Sequence, residues 1–193
     1  MSDFYFYYLL GWRHIVSINA LDHLLFLTVL AVGYSLKDWR KVLFLVTAFT
    51  LGHCITLVLS SLRIVELSSD WVEFLIPCTI LVTAASHFRK NATPVRMIVR
   101  YFMAFFFGLI HGFGFANTLR FIITANEHFG LSLFGFNIGL ECGQVAFICL
   151  LLLIAYLFIN FLGVKQAHWV ISISIVVFCL ALKMAIERWP VNN

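Results

Sequence analysis

Long apolar runs constrain this chain more than any motif does. A helix of about 20 mainly apolar residues spans the roughly 30 Å of hydrocarbon in a bilayer. On that measure the sequence predicts six spans, at residues 14–36, 41–62, 71–88, 98–120, 131–161 and 167–188. Hydrophobic residues make up 62% of the chain and charged ones 11%, against roughly 25% charge in a soluble domain. The expected fold is all-α: a polytopic membrane helical bundle of about six transmembrane helices, forming one domain over residues 1–193. No linker rich in Gly or Ser and no convincing repeat divides it. Pro77 falls inside the third span, where neighbouring helices can satisfy the carbonyl it frees. The fifth span is long enough to tilt or to project beyond the membrane. The opening residues lack a basic start and a cleavage site, so the first span is expected to act as its own insertion signal.

Orientation follows the distribution of basic residues. Alternate loops carry Lys37, Arg40, Lys41, Arg89, Lys90, Arg96, Arg100 and Lys165, most of the thirteen. The opposite side carries Arg13, Arg63 and Arg120, with Lys183 and Arg188 at the end of the last span, interspersed with Asp3, Glu66, Asp70, Glu73, Glu127 and Glu187. Both termini are therefore expected outside the cytoplasm. Topology accounts for the net charge of +4, and no nucleic acid is implied as a partner.

Against that apolar background a few polar residues stand out: Asp22-His23, His53, His111 and Glu141. An ionisable group near the bilayer centre costs about 2.5–3.5 kcal/mol on insertion scales, so several together are expected to face one another or a polar cavity. Counted from the outer end of each span at ~1.5 Å per residue, all of them lie roughly 14–16 Å deep. Asn19, Asp22 and His23 share a helix face at i, i+3 and i+4, and Asp22 is placed to orient an imidazole. Thr50, His53 and Thr56 form one polar stripe and Asn137, Glu141 and Gln144 another. Interhelical hydrogen bonding explains the threonines and amides equally well. Gly108, Gly112 and Ala116, and Gly135, Gly139 and Gly143, recur every four residues, the pattern of closely packed helices. Packing of these two spans would bring His111 near Glu141.

Several runs together carry a family likeness. They are Gly11 and His14, Ala20-Leu21-Asp22-His23-Leu24-Leu25-Phe26, Thr47-Ala48-Phe49-Thr50-Leu51-Gly52-His53, Ile55-Thr56-Leu57, the stretch from Glu73 to Ala84, Phe107 to Phe115 with Gly108, His111 and Gly112, and Phe136 to Gln144 with Asn137, Glu141 and Gly143. In this order, over residues 11 to 144, the chain resembles the HupE/UreJ family of bacterial membrane proteins. The resemblance implies a polytopic inner-membrane permease supplying nickel to hydrogenase or urease. His14, Asp22 and His23 match the family's first-helix signature, and His111 and Glu141 its later polar motifs. Seven residues separate His14 from Asp22 here, where the nickel-uptake form has five, and Cys54 stands where a Ser commonly follows the His. Those departures mark a divergent branch.

The donor chemistry leads the same way. Imidazoles with one or two carboxylates suit a divalent transition metal, nickel or zinc foremost, whereas magnesium and calcium prefer oxygen shells. The expected metal-contacting set is His23, His53, His111, Asp22, Glu141 and His14, the last either a ligand at the outer mouth or an interfacial residue beside Trp12. His87, His128 and His168 read as interfacial, Glu73 as a carboxylate at a helix start, and Lys183 with Glu187 as an i, i+4 pair. Cys54, Cys78, Cys142, Cys149 and Cys179 read as buried thiols without a CxxC pair. Three functions fit: a metal permease, an intramembrane zinc-dependent hydrolase acting on a lipid or acyl substrate, and an accessory subunit whose polar core holds helices together. Membrane lipid and metal ion are the expected partners, with a second copy of the chain or another membrane protein also possible.

Overall fold

The computed structural model describes residues 3–17, 20–88, 96–123 and 129–190, the side chains at 3, 117–123 and 129 excepted. Asn19, Arg89, Lys90, Arg120, Glu127 and His128, all read above, lie outside those side chains. Seven helices follow in order: α1 (Asp3–Val16), α2 (Leu21–Ala31), α3 (Trp39–Ser61), α4 (Ser69–Ser86), α5 (Met97–Ile123), α6 (Phe129–Asn160) and α7 (Gln166–Glu187), with a 3₁₀ turn at Leu36–Asp38 before α3. Among the described residues, α3, α5, α6 and α7 are long and apolar enough to cross a membrane, and α1 with α2 make a fifth if the bent pair counts as one span. The difference from six is α4, which has the length but opens on Asp70 and Glu73. Phe102, Phe106, Phe134 and Val176 project from the bundle, each more than half exposed, as hydrocarbon contact allows.

The first span departs from the expected single helix over 14–36. α1 already runs over Asp3–Val16, and α2 sets off at 70° to it after a short break. Ser17 and Ala20 flank the break, and the Ala20 amide bonds the Ser17 carbonyl at 3.0 Å, so the turn closes on its own backbone.

Glycine decides which helices touch. α1 lies along α6, and α3 along α5, while α5 and α6 scarcely meet. Gly108 backs onto the Phe49 carbonyl and Gly52 onto the Phe105 carbonyl; in the other pair, Gly139 backs onto Tyr8 and Gly11 onto Phe136. Two backbones approach this closely only where the residue facing its neighbour's carbonyl carries no Cβ. The two glycine stripes thus pack on separate partners, α5 on α3 and α6 on α1, which corrects the expectation that they pack on each other. Their partners supply lone glycines, Gly52 and Gly11, at the contact.

Candidate metal centre

Four helices deliver histidines to one point. His14 stands in the last turn of α1, His23 in the first turn of α2, His53 midway along α3 and His111 on α5. His23 is central, its ring centroid 4.9 Å from that of His14, 5.5 Å from His53 and 5.0 Å from His111. Nitrogens of His14, His23 and His53 all lie within 4.8 Å of one another. His53 and His111 are fully buried and His23 is 4% exposed. Phe26 and Phe49, stacked at 4.8 Å, close the cluster on one side, and Phe115, stacked at 5.2 Å on Phe136, covers His14 at 4.0 Å.

Hydrogen bonds fix which lone pairs remain. Asp22 Oδ1 lies 3.1 Å from His23 Nδ1 and accepts the His23 amide at 2.8 Å. A carboxylate only accepts, so Nδ1 carries the proton and Nε2 keeps its lone pair. Thr79 Oγ1 donates to the Ile76 carbonyl at 2.7 Å and lies 2.9 Å from His111 Nε2. Its only hydrogen is committed, so His111 donates through Nε2 and Nδ1 holds a free pair. Among the described residues, Nε2 of His14, Nε2 of His23, both nitrogens of His53 and Nδ1 of His111 are buried and find no hydrogen-bond partner. Leaving a buried polar atom unpaired costs about 1–3 kcal/mol, and folded proteins tolerate few such atoms. One His53 nitrogen carries that ring's proton, so the cluster holds at most four lone pairs with no proton to receive, an arrangement that fits a cation.

His14, His23 and His111 line a cavity of about 470 Å³ walled by α1, α2, α4 and α5 and by Arg188 just beyond α7. Arg13, Asp22, Glu73 and Arg188 supply its charges, and Arg188 Nη1 stands 3.5 Å from Asp22 Oδ2.

His14, Asp22, His23, His53 and His111 therefore come together as expected from their residue types, with His14 inside the cluster instead of at its mouth. Glu141 goes elsewhere. Its Oε1 accepts from Thr47 Oγ1 at 2.7 Å, six residues before His53 on α3 and so about 9 Å further along that helix. The equal-depth count misplaced it because α6, at 32 residues, is roughly 48 Å long and its first residue does not mark a membrane surface. Gln144 pairs with Thr50 at 2.7 Å, and Thr56 bonds the His53 carbonyl at 3.1 Å. These hydroxyls and amides tie helices together, and Glu141 belongs with them.

Sequence reasoning passed over Thr79, Arg13 and Arg188. Thr79 had a local signal, a hydroxyl two residues after Pro77 within an apolar run; the arginines read as boundary charges. Glu73, read as a helix-start carboxylate with its place in the site left open, lines the cavity. His87 bonds the Val29 carbonyl at 3.0 Å, an interhelical role, and Lys183 meets Glu187 at 3.6 Å as expected. All five cysteines are free, and Cys142, Cys149 and Cys179 are exposed on the bundle surface, which corrects their reading as buried thiols.

Fold and site together define a helical membrane protein with a histidine centre suited to a transition metal. The chain belongs to the HupE / UreJ protein family, whose family model matches residues 1–192, and that family is generally linked to nickel and cobalt transport. No curated protein and no solved structure matches the chain.

Proposed function

We propose that this protein is an inner-membrane permease for a nickel-like divalent cation, multi-pass in a bacterial cytoplasmic membrane, in which α4 also crosses as a sixth span so that both termini lie outside the cytoplasm. The observation that carries the reading is the trio His14, His23 and His53, with nitrogens within 4.8 Å of one another, two of which, His14 and His23, line an open cavity. In that topology the cavity faces outward and opens a route to the imidazoles. His14, His23 and His53 take the ion, Asp22 holds His23 in the ligating tautomer, and His111 offers Nδ1 as a further stop. The bent α1–α2 pair supports transport over a static role, because permeases build midplane sites at interrupted helices.

Nickel uptake into proteoliposomes, together with metal analysis of the purified protein, tests this. His23→Ala is expected to abolish uptake and bound metal, with retention of either counting against the proposal. Glu73 and Asp22 beside three imidazoles support a second reading, a zinc hydrolase in which one carboxylate activates a bound water. Stoichiometric, non-exchanging zinc with turnover of a lipid ester and no uptake would favour it.

A further inference from the structure

The cavity is built for more than a bare ion. Its volume is about 470 Å³, whereas six waters around a metal occupy roughly 180 Å³ at ~30 Å³ each. Its wall carries equal numbers of acidic and basic side chains before any cation arrives, Arg13 and Arg188 against Asp22 and Glu73, and an imidazole is neutral when it ligates a metal. A divalent ion would leave two positive charges in excess, with both guanidiniums repelling it. Trp189 packs edge-on against Phe74 at 4.9 Å, which anchors the chain next to Arg188. Its 3.5 Å approach to Asp22 is long for a hydrogen bond, so its donors stay available to another acceptor.

Resting on the transport reading, we infer that the substrate is a divalent transition metal already chelated by a small carboxylate ligand. The metal meets His14, His23 and His53, and the carboxylates meet Arg13 and Arg188, whose planar forks match carboxylate oxygens in pairs. The anionic ligand then supplies the charge that the wall lacks.

Binding to detergent-purified protein of nickel from nickel citrate and from nickel nitrate tests this, in wild type, Arg13→Gln and the Arg13→Gln/Arg188→Gln double variant. Wild type is expected to bind the citrate form about tenfold more tightly, one charge-assisted carboxylate contact converting to roughly that ratio. The double variant is expected to lose the preference while binding nickel from nitrate at least as well as wild type. Arg13→Gln changes an exposed side chain, so it folds and shows a reduced preference even if the double variant does not fold. Equal binding of both forms by wild type, or an undiminished preference in the variants, overturns the inference. His23→Ala separates the two readings: loss of both nickel forms there upholds the histidine site whichever way the arginines fall. Binding of neither form by wild type removes both.

Discussion

Gly108→Ala puts one methyl between α3 and α5 and tests whether their contact sets the metal centre. An alanine Cβ at 108 would stand 2.9 Å from the Phe49 carbonyl carbon and 3.1 Å from the His53 amide nitrogen, and nearer still to the Phe49 carbonyl oxygen. Carbon atoms rest about 3.5–4.0 Å apart, so the helices must part by roughly 0.6–1 Å. All three obstacles are backbone, and no rotamer change relieves them. Overpacking of this kind costs about 1–3 kcal/mol, and the upper end applies here. The movement carries His53, on α3, away from His23 on α2. Ligand distances must hold to about ±0.2 Å, so nickel affinity is expected to fall more than about tenfold although no ligand is removed. Gly130→Ala is the control, with nothing within 4 Å of its Cβ. Unfolding in detergent and nickel titration read the two effects. Wild-type stability and affinity in Gly108→Ala would refute the close contact and the site geometry built on it.

Three further substitutions separate the roles assigned above. Thr79→Val leaves the His111 Nε2 proton buried without an acceptor and should cost about 1–3 kcal/mol in an unfolding titration, while Thr79→Ser restores it; equal stabilities would remove the tautomer assignment. Asp22→Asn keeps an acceptor for His23 but loses the charge, and outer carboxylates of this kind are worth about 10–100-fold in metal affinity, so a titration showing less than a twofold change, by the same measure, would place Asp22 outside the site. Glu141→Gln retains the bond from Thr47 and should leave bound nickel unchanged; loss of metal there would return Glu141 to the ligand set.

Outside the first span, where helices begin and end was legible because apolar run length is a property of each segment alone. The expected 41–62 became Trp39–Ser61 and the expected 167–188 became Gln166–Glu187 for that reason. Partner choice is not local. A stripe at Gly135, Gly139 and Gly143 shows that something approaches α6 closely but does not say what, and Gly11 on α1 carries no stripe of its own to announce the match. The histidines were found through the cost of burying them, which any residue in an apolar run reveals. Glu141 raised the same flag, yet the cost can be met by one threonine on a neighbouring helix as well as by a metal. Only the tertiary partner distinguishes those two outcomes.

The break between α1 and α2 is the step on which the site depends. His14 and His23 are nine residues apart, so one unbroken helix would hold them about 13.5 Å apart along its axis and roughly 180° apart around it. Their rings lie 4.9 Å apart because the chain turns through 70° between them. A turn at membrane depth exposes backbone groups that lipid cannot satisfy, and it persists where it borders a water-filled space. Ser17 and Ala20, on either side of the break, line the same cavity as the histidines. The cavity thus makes the break tolerable, and the break in turn brings His14 to the metal centre; a chain with a continuous first span would keep His23 and His53 and lose the third imidazole.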